Sequence, residues 1–166
     1  MTAPLVSRHL KMDIVRVCAA ESISAPKLSL EQVDYATVLG LLSSENVKVR
    51  RIAVYTLGDI RDQRAVSHVS AALNDRDAST RMIAARALGK IGGFEAVPAL
   101  IALLEEPCGP RCLKANAAAA LGKIGDARAM RALEKVNNTE QGWVQANAET
   151  ALLRIAANTS STTKTN

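Results

Sequence analysis

The chain has 166 residues, 48% of them hydrophobic but only 2% aromatic, and carries a formal charge of +5 from 21 basic and 16 acidic side chains. That length suits one domain, and a core so poor in aromatics must be packed by alanine, leucine and isoleucine, which favours closely approaching helices over strands. Two histidines, His9 and His68, and three cysteines, Cys18, Cys108 and Cys112, leave little for a histidine-based triad or a disulfide framework.

Residues 5–22 read as a helix with Leu10, Ile14, Val17 and Cys18 on one side and Arg8, Lys11, Asp13 and Arg16 on the other. The charges break any signal-peptide core, and Pro26 within residues 22–29 ends the segment. A second helix is expected near Ser29, where Gln32 follows at capping-box spacing. From there the pattern alternates shorter and longer helices. First helices are predicted at 31–43, 64–74, 95–105 and 127–137, and second helices at 47–60, 78–91, 111–124 and 143–157. Residues 97–104, the longest strongly apolar stretch, are too short to cross a bilayer. Residues 158–166 are polar and aperiodic and are expected to be a disordered tail.

The second helices are copies of one another. Val49-Arg50-Arg51-Ile52-Ala53 leading to Leu57-Gly58-Asp59-Ile60 returns as Thr80-Arg81-Met82-Ile83-Ala84 leading to Leu88-Gly89-Lys90-Ile91. It returns again as Leu113 to Ile124, and more weakly as Val144 to Ile155, so the closing isoleucines are 31, 33 and 31 residues apart. Such a period indicates stacked repeats. The expected fold is an all-α solenoid of about four two-helix repeats, over residues 28–157, with residues 1–27 as an N-terminal capping helix and linker. Ala53, Ala84, Ala117 and Ala148 keep the helices close, and Leu153 replaces the repeated glycine in the last copy.

Ala87-Leu88-Gly89-Lys90-Ile91-Gly92 and Ala120-Leu121-Gly122-Lys123-Ile124-Gly125-Asp126 resemble the short HEAT-like repeats of the phycobilisome-lyase type. The resemblance covers roughly 31–157 and implies a curved solenoid with second helices on its concave side. It also implies that Arg50, Arg81 and Lys114 form a ladder with turn aspartates of adjacent repeats, for which Asp62, Asp77 and Asp126 are candidates, ending at Gln145. One HEAT-like enzyme, deoxyhypusine hydroxylase, holds iron with His-Glu pairs, and no such pair occurs here. Nor is there a phosphate-binding glycine loop. Cys108 and Cys112 lack further ligands for zinc, and reduced thiols point to a cytoplasmic protein. No cofactor is expected.

Function is then carried by exposed positions. Arg51, Tyr55, Arg86, Lys90, Asn116, Lys123, Trp143, Asn147 and Arg154 are the candidate partner-binding residues. Lys90, Lys123 and Arg154 share one repeat position and should form a basic row, while Tyr55, Arg86 and Trp143 are of types enriched at interface hot spots. Residues 110–136 hold six basic against two acidic side chains, a local field that attracts acidic partners. The first reading is a non-catalytic scaffold or adaptor binding another protein on the curved surface. The alternative is binding of duplex nucleic acid through phosphates, which falls steeply with salt. The resemblance adds a lyase-like or chaperone subunit as a third reading.

Overall fold

The protein is described by a computed structural model covering residues 8–20, 34–107 and 109–162, with backbone only at 17–20 and 160–162. Among these residues all regular structure is helical. The N-terminal helix α1 (Arg8–Ala20) is followed by four pairs. The first helices are α2 (Tyr35–Leu41), α4 (Val66–Ala71), α6 (Val97–Glu105) and α8 (Met130–Thr139). The second helices are α3 (Val47–Ile60), α5 (Ala78–Ile91), α7 (Arg111–Ile124) and α9 (Trp143–Thr162). Tight 3-10 turns at 63–65, 94–96 and 127–129 lead into α4, α6 and α8.

Local chemistry sets the helix ends. Asn46 caps α3 by accepting from the Lys48 N–H at 2.8 Å, and Asp77 caps α5 by accepting from Thr80 at 2.7 Å. Asp34 caps α2 through the Thr37 N–H at 2.8 Å, so the described helix begins at Tyr35; the Ser29–Gln32 capping box lies outside the described residues. The chain leaves α5 and α7 through left-handed Gly92 and Gly125, at φ 81° and 77°. After α3 the same conformation falls on Arg61, at φ 56°, where a Cβ is disfavoured.

The last helix departs from expectation. α9 continues to Thr162, through 158–162 of the stretch expected to be disordered. The Thr159 hydroxyl donates to the Ala156 carbonyl at 2.9 Å, and Asn158 lies over Gly125 of the preceding repeat. Polar residues of this stretch therefore bond back into the helix and pack on the preceding repeat. Residues 163–166 lie outside the described residues.

Each first helix packs on the second helix that follows it, and the second helices pack in succession, α3 on α5, α5 on α7 and α7 on α9. α1 joins this layer by packing on α3, with Leu10 and Ile14 buried. Leu57, Leu88 and Leu121 are fully buried, each worth about 2 kcal/mol of transfer free energy. Helix spacing is set by a glycine–alanine seam. A Cβ on Gly58 would stand 2.7 Å from Ala87 Cβ, on Gly89 2.8 Å from Ala120 Cα, and on Gly122 2.6 Å from Ala151 Cα. Leu153, at the same position of α9, is 67% exposed.

Candidate functional site

Of the three basic residues expected in the ladder, Arg50 and Lys114 pair across the repeats, but with different carboxylates from those expected, and Arg81 meets no carboxylate among the described residues. Arg50 is buried, and its Nη1 donates to the carbonyls of Ser44 and Glu45 at 2.8 and 3.1 Å. Its other edge takes Asp75 in a two-point pair, Nε to Oδ2 at 2.7 Å and Nη2 to Oδ1 at 3.0 Å. Lys114 pairs with Glu140 at 2.9 Å. Asp75 and Glu140 are held below the usual carboxylate range, chiefly by the hydrogen bonds from Arg50 and Lys114.

The three aspartates expected as partners do other work. Asp62 and Asp126 cap their own 3-10 turns and pair with Arg64 and Arg128 two residues on. Asp77 takes Arg51, Nε to Oδ2 at 2.9 Å and Nη2 to Oδ1 at 2.8 Å, while capping α5. The correction has a simple geometric cause. The partner carboxylates lie 25 or 26 residues beyond the base, at the end of the next first helix, and not in the turn after the second helix. Gln145 is exposed and uncharged, so the ladder stops at Lys114.

These pairs redistribute the candidate residues. Arg51 is committed to Asp77 and serves the repeat junction. Lys90 binds Asp59 of the preceding repeat at 2.5 Å and lies over the Tyr55 ring, 4.8 Å from its centroid. The expected basic row is therefore interrupted at its first member. Lys123, Arg154 and Arg86 are exposed and have no ion pair among the described residues. Asn116 and Asn147 each donate to the carbonyl one turn back, Cys112 and Trp143, both at 2.7 Å.

The structure brings Tyr55, Arg86 and Lys90 together around a small depression floored by Ile83 and Ala87. Tyr55 is 45% exposed and Trp143, the first residue of α9, 53%. Phe94, 60% exposed in the turn after α5, was not singled out by sequence, because a turn aromatic carries no periodicity. Asp75 and Glu140 were missed as ladder partners, although their spacing from Arg50 and Lys114 was a usable signal. The described residues contain no cluster of three or more His, Cys, Asp or Glu placed to hold a metal ion. No helix among them is long and apolar enough to cross a membrane.

Comparison with known proteins fits this repeat geometry. Residues 36–115 match the HEAT repeats family, and residues 113–136 match the PBS lyase HEAT-like repeat. The chain is a HEAT-like repeat protein. Human deoxyhypusine hydroxylase in complex with glycerol is similar with a TM-score of 0.69 and 21% identity, over 86% of this chain and 53% of that one. The complex of CpcE and CpcF of phycocyanin lyase from Nostoc sp. PCC7120 gives 0.67 and 28%, over 82% of this chain and 59% of that one. An engineered protein gives 0.57 and 22%, over 90% and 73%. The HEAT-like chain thus spans between half and two thirds of the length of the first two, and the hydroxylase and engineered likenesses show fold alone. No curated protein matches it by sequence.

Proposed function

We propose that this HEAT-like repeat protein is a non-catalytic scaffold or adaptor that binds a partner protein on the exposed face of its second helices. One observation carries the reading. Tyr55 and Trp143 are about half exposed on that face, alongside Arg86, Lys123 and Arg154, which have no ion pair among the described residues. Aromatic and arginine side chains left open on a rigid surface are what interface hot spots are made of. The CpcE–CpcF neighbour, itself a complex of two chains, supports a protein partner. The commitment of Lys90 to Asp59 counts against a continuous row of phosphate contacts.

The test is affinity capture with the immobilised chain, with and without nuclease, at low and moderate salt. It is run beside a Tyr55→Ala/Arg86→Ala/Trp143→Ala variant whose folding is checked by circular dichroism. The expected result is a discrete protein that survives nuclease and is lost with the variant. Recovery of nucleic acid alone, released as salt rises, replaces this reading with phosphate binding. A partner carrying a bilin favours the lyase-like or chaperone reading.

A further inference from the structure

The ladder is broken at its middle rung. Arg81 occupies the place in α5 that Arg50 occupies in α3, and it is oriented the same way, with Nη1 donating to the carbonyls of Asp75 and Arg76 at 2.7 and 3.4 Å. In Arg50 the remaining Nε–Nη2 edge takes Asp75. In Arg81 that edge has no carboxylate among the described residues.

The reason lies in the connection from α6 to α7, residues 106–110, which is two residues longer than the corresponding connections at 75–77 and 140–142. Glu106 stands 25 residues after Arg81, where a rung would be completed, but its side chain folds over Gly109, with Oε2 3.1 Å from where a Cβ would sit there. Beside the unused guanidinium edge is a cleft of about 680 Å³, whereas the clefts beside the paired Arg50 and Lys114 are each about 280 Å³. Its walls include Leu73, Leu103 and Leu113, and Ser70, whose buried hydroxyl has no hydrogen-bond partner among the described residues.

We propose that this cleft, between the second and third helix pairs, is a docking site for an acidic segment of a partner polypeptide. One Asp or Glu side chain of that segment completes the rung on the Nε–Nη2 edge of Arg81, and flanking apolar side chains sit against the leucines. The guanidinium is held in advance by the Asp75 carbonyl, so a two-point carboxylate pair forms with little further ordering. A carboxylate fits better than a phosphate, because Glu105 and Glu106 also line the cleft and repel a doubly charged group more strongly. This site is made of different residues from the exposed face of the second helices, so each stands or falls alone.

The test selects binders to the full chain from a phage-displayed library of random decapeptides. Each enriched peptide is synthesised with its acidic residue intact and as the amide twin. Binding to wild type, Arg81→Gln, Glu106→Gln and Tyr55→Ala/Arg86→Ala chains is then measured by fluorescence anisotropy. Enriched peptides are expected to share an Asp or Glu beside apolar residues and to weaken by about tenfold or more as the amide twin or against Arg81→Gln. They should bind Glu106→Gln as tightly or more tightly, since a competing carboxylate is gone, and be indifferent to the Tyr55 and Arg86 changes. The Arg81 Nε–H resonance should shift on adding peptide and stay unmoved by inorganic phosphate at the same concentration. No enrichment, or binding unaffected by both the amide and Arg81→Gln, overturns the proposal. So does an Arg81 Nε–H resonance that Glu106→Gln shifts in the absence of peptide, for then Glu106 closes the rung itself. Should Arg81→Gln fail to fold, the amide twins and the resonance decide alone.

Discussion

The junction between α3 and α5 and the junction between α5 and α7 are built on the same apolar seam and finished differently at their polar edge. In both, a glycine of one helix lies against an alanine of the next at a separation that admits no Cβ. At the first, Arg50 and Arg51 reach across to Asp75 and Asp77, and Asp77 also caps α5. At the second, α7 begins after Pro110 with no side-chain cap, and Arg81 meets only carbonyls. Close packing therefore fixes the repeat spacing, while the carboxylates of the connecting turns decide whether a junction is closed or left with a cleft. The seam tolerates no variation because steric repulsion is steep. The ladder tolerates it because a half-buried guanidinium can keep some of its hydrogen bonds to backbone and water.

The sharpest way to break the shared part is Gly122→Ala. The new methyl meets Ala151 Cα at 2.6 Å, a backbone atom that cannot turn aside, and about 3 kcal/mol should be lost in urea unfolding. The polar difference is sharpened next by pairing Asp75→Asn with Glu106→Gln. The first removes the charge and one of the two acceptor oxygens that face a buried arginine and should cost about 2 kcal/mol. The second should change stability by less than about 0.5 kcal/mol, and equal losses would mean that the ladder is continuous.

Acid distinguishes the junctions in the same sense. Asp75, Asp77 and Glu140 have folded pKa values below the ordinary carboxylate range, so their contribution is complete above pH about 5 and is lost as pH falls toward the folded values. The melting temperature should therefore drop below that pH, and less steeply in Asp75→Asn. Smaller again is Arg61→Gly, which relieves a left-handed residue where Gly92 and Gly125 stand in the other repeats, and should stabilise by about 0.5 kcal/mol. Leu153→Ala, at the open end of the seam, should move stability by no more than about 0.5 kcal/mol. A larger loss there would show that something covers α9.

The sequence alone determined the architecture, because repetition is a one-dimensional property. Glycines and alanines recurring at 31–33 residues mark the close crossings whatever the rest of the chain does, and the predicted second helices 47–60, 78–91 and 111–124 coincide with α3, α5 and α7. The cap that Asp77 gives α5 is likewise local chemistry, since a cap acts within one turn. What only the tertiary structure decided was which charges remain on offer. Lys90, Lys123 and Arg154 are equivalent in sequence, yet Asp59 and Tyr55 take the first and no carboxylate among the described residues takes the others. Arg50 and Arg81 are likewise one position in the repeat, separated by whether a carboxylate arrives from the next turn. That outcome depends on the two extra residues between α6 and α7 and on the direction Glu106 takes over Gly109. Side-chain pairing across repeats is a matter of ångström-scale reach in three dimensions, and a repeat pattern read along the chain carries no such distances.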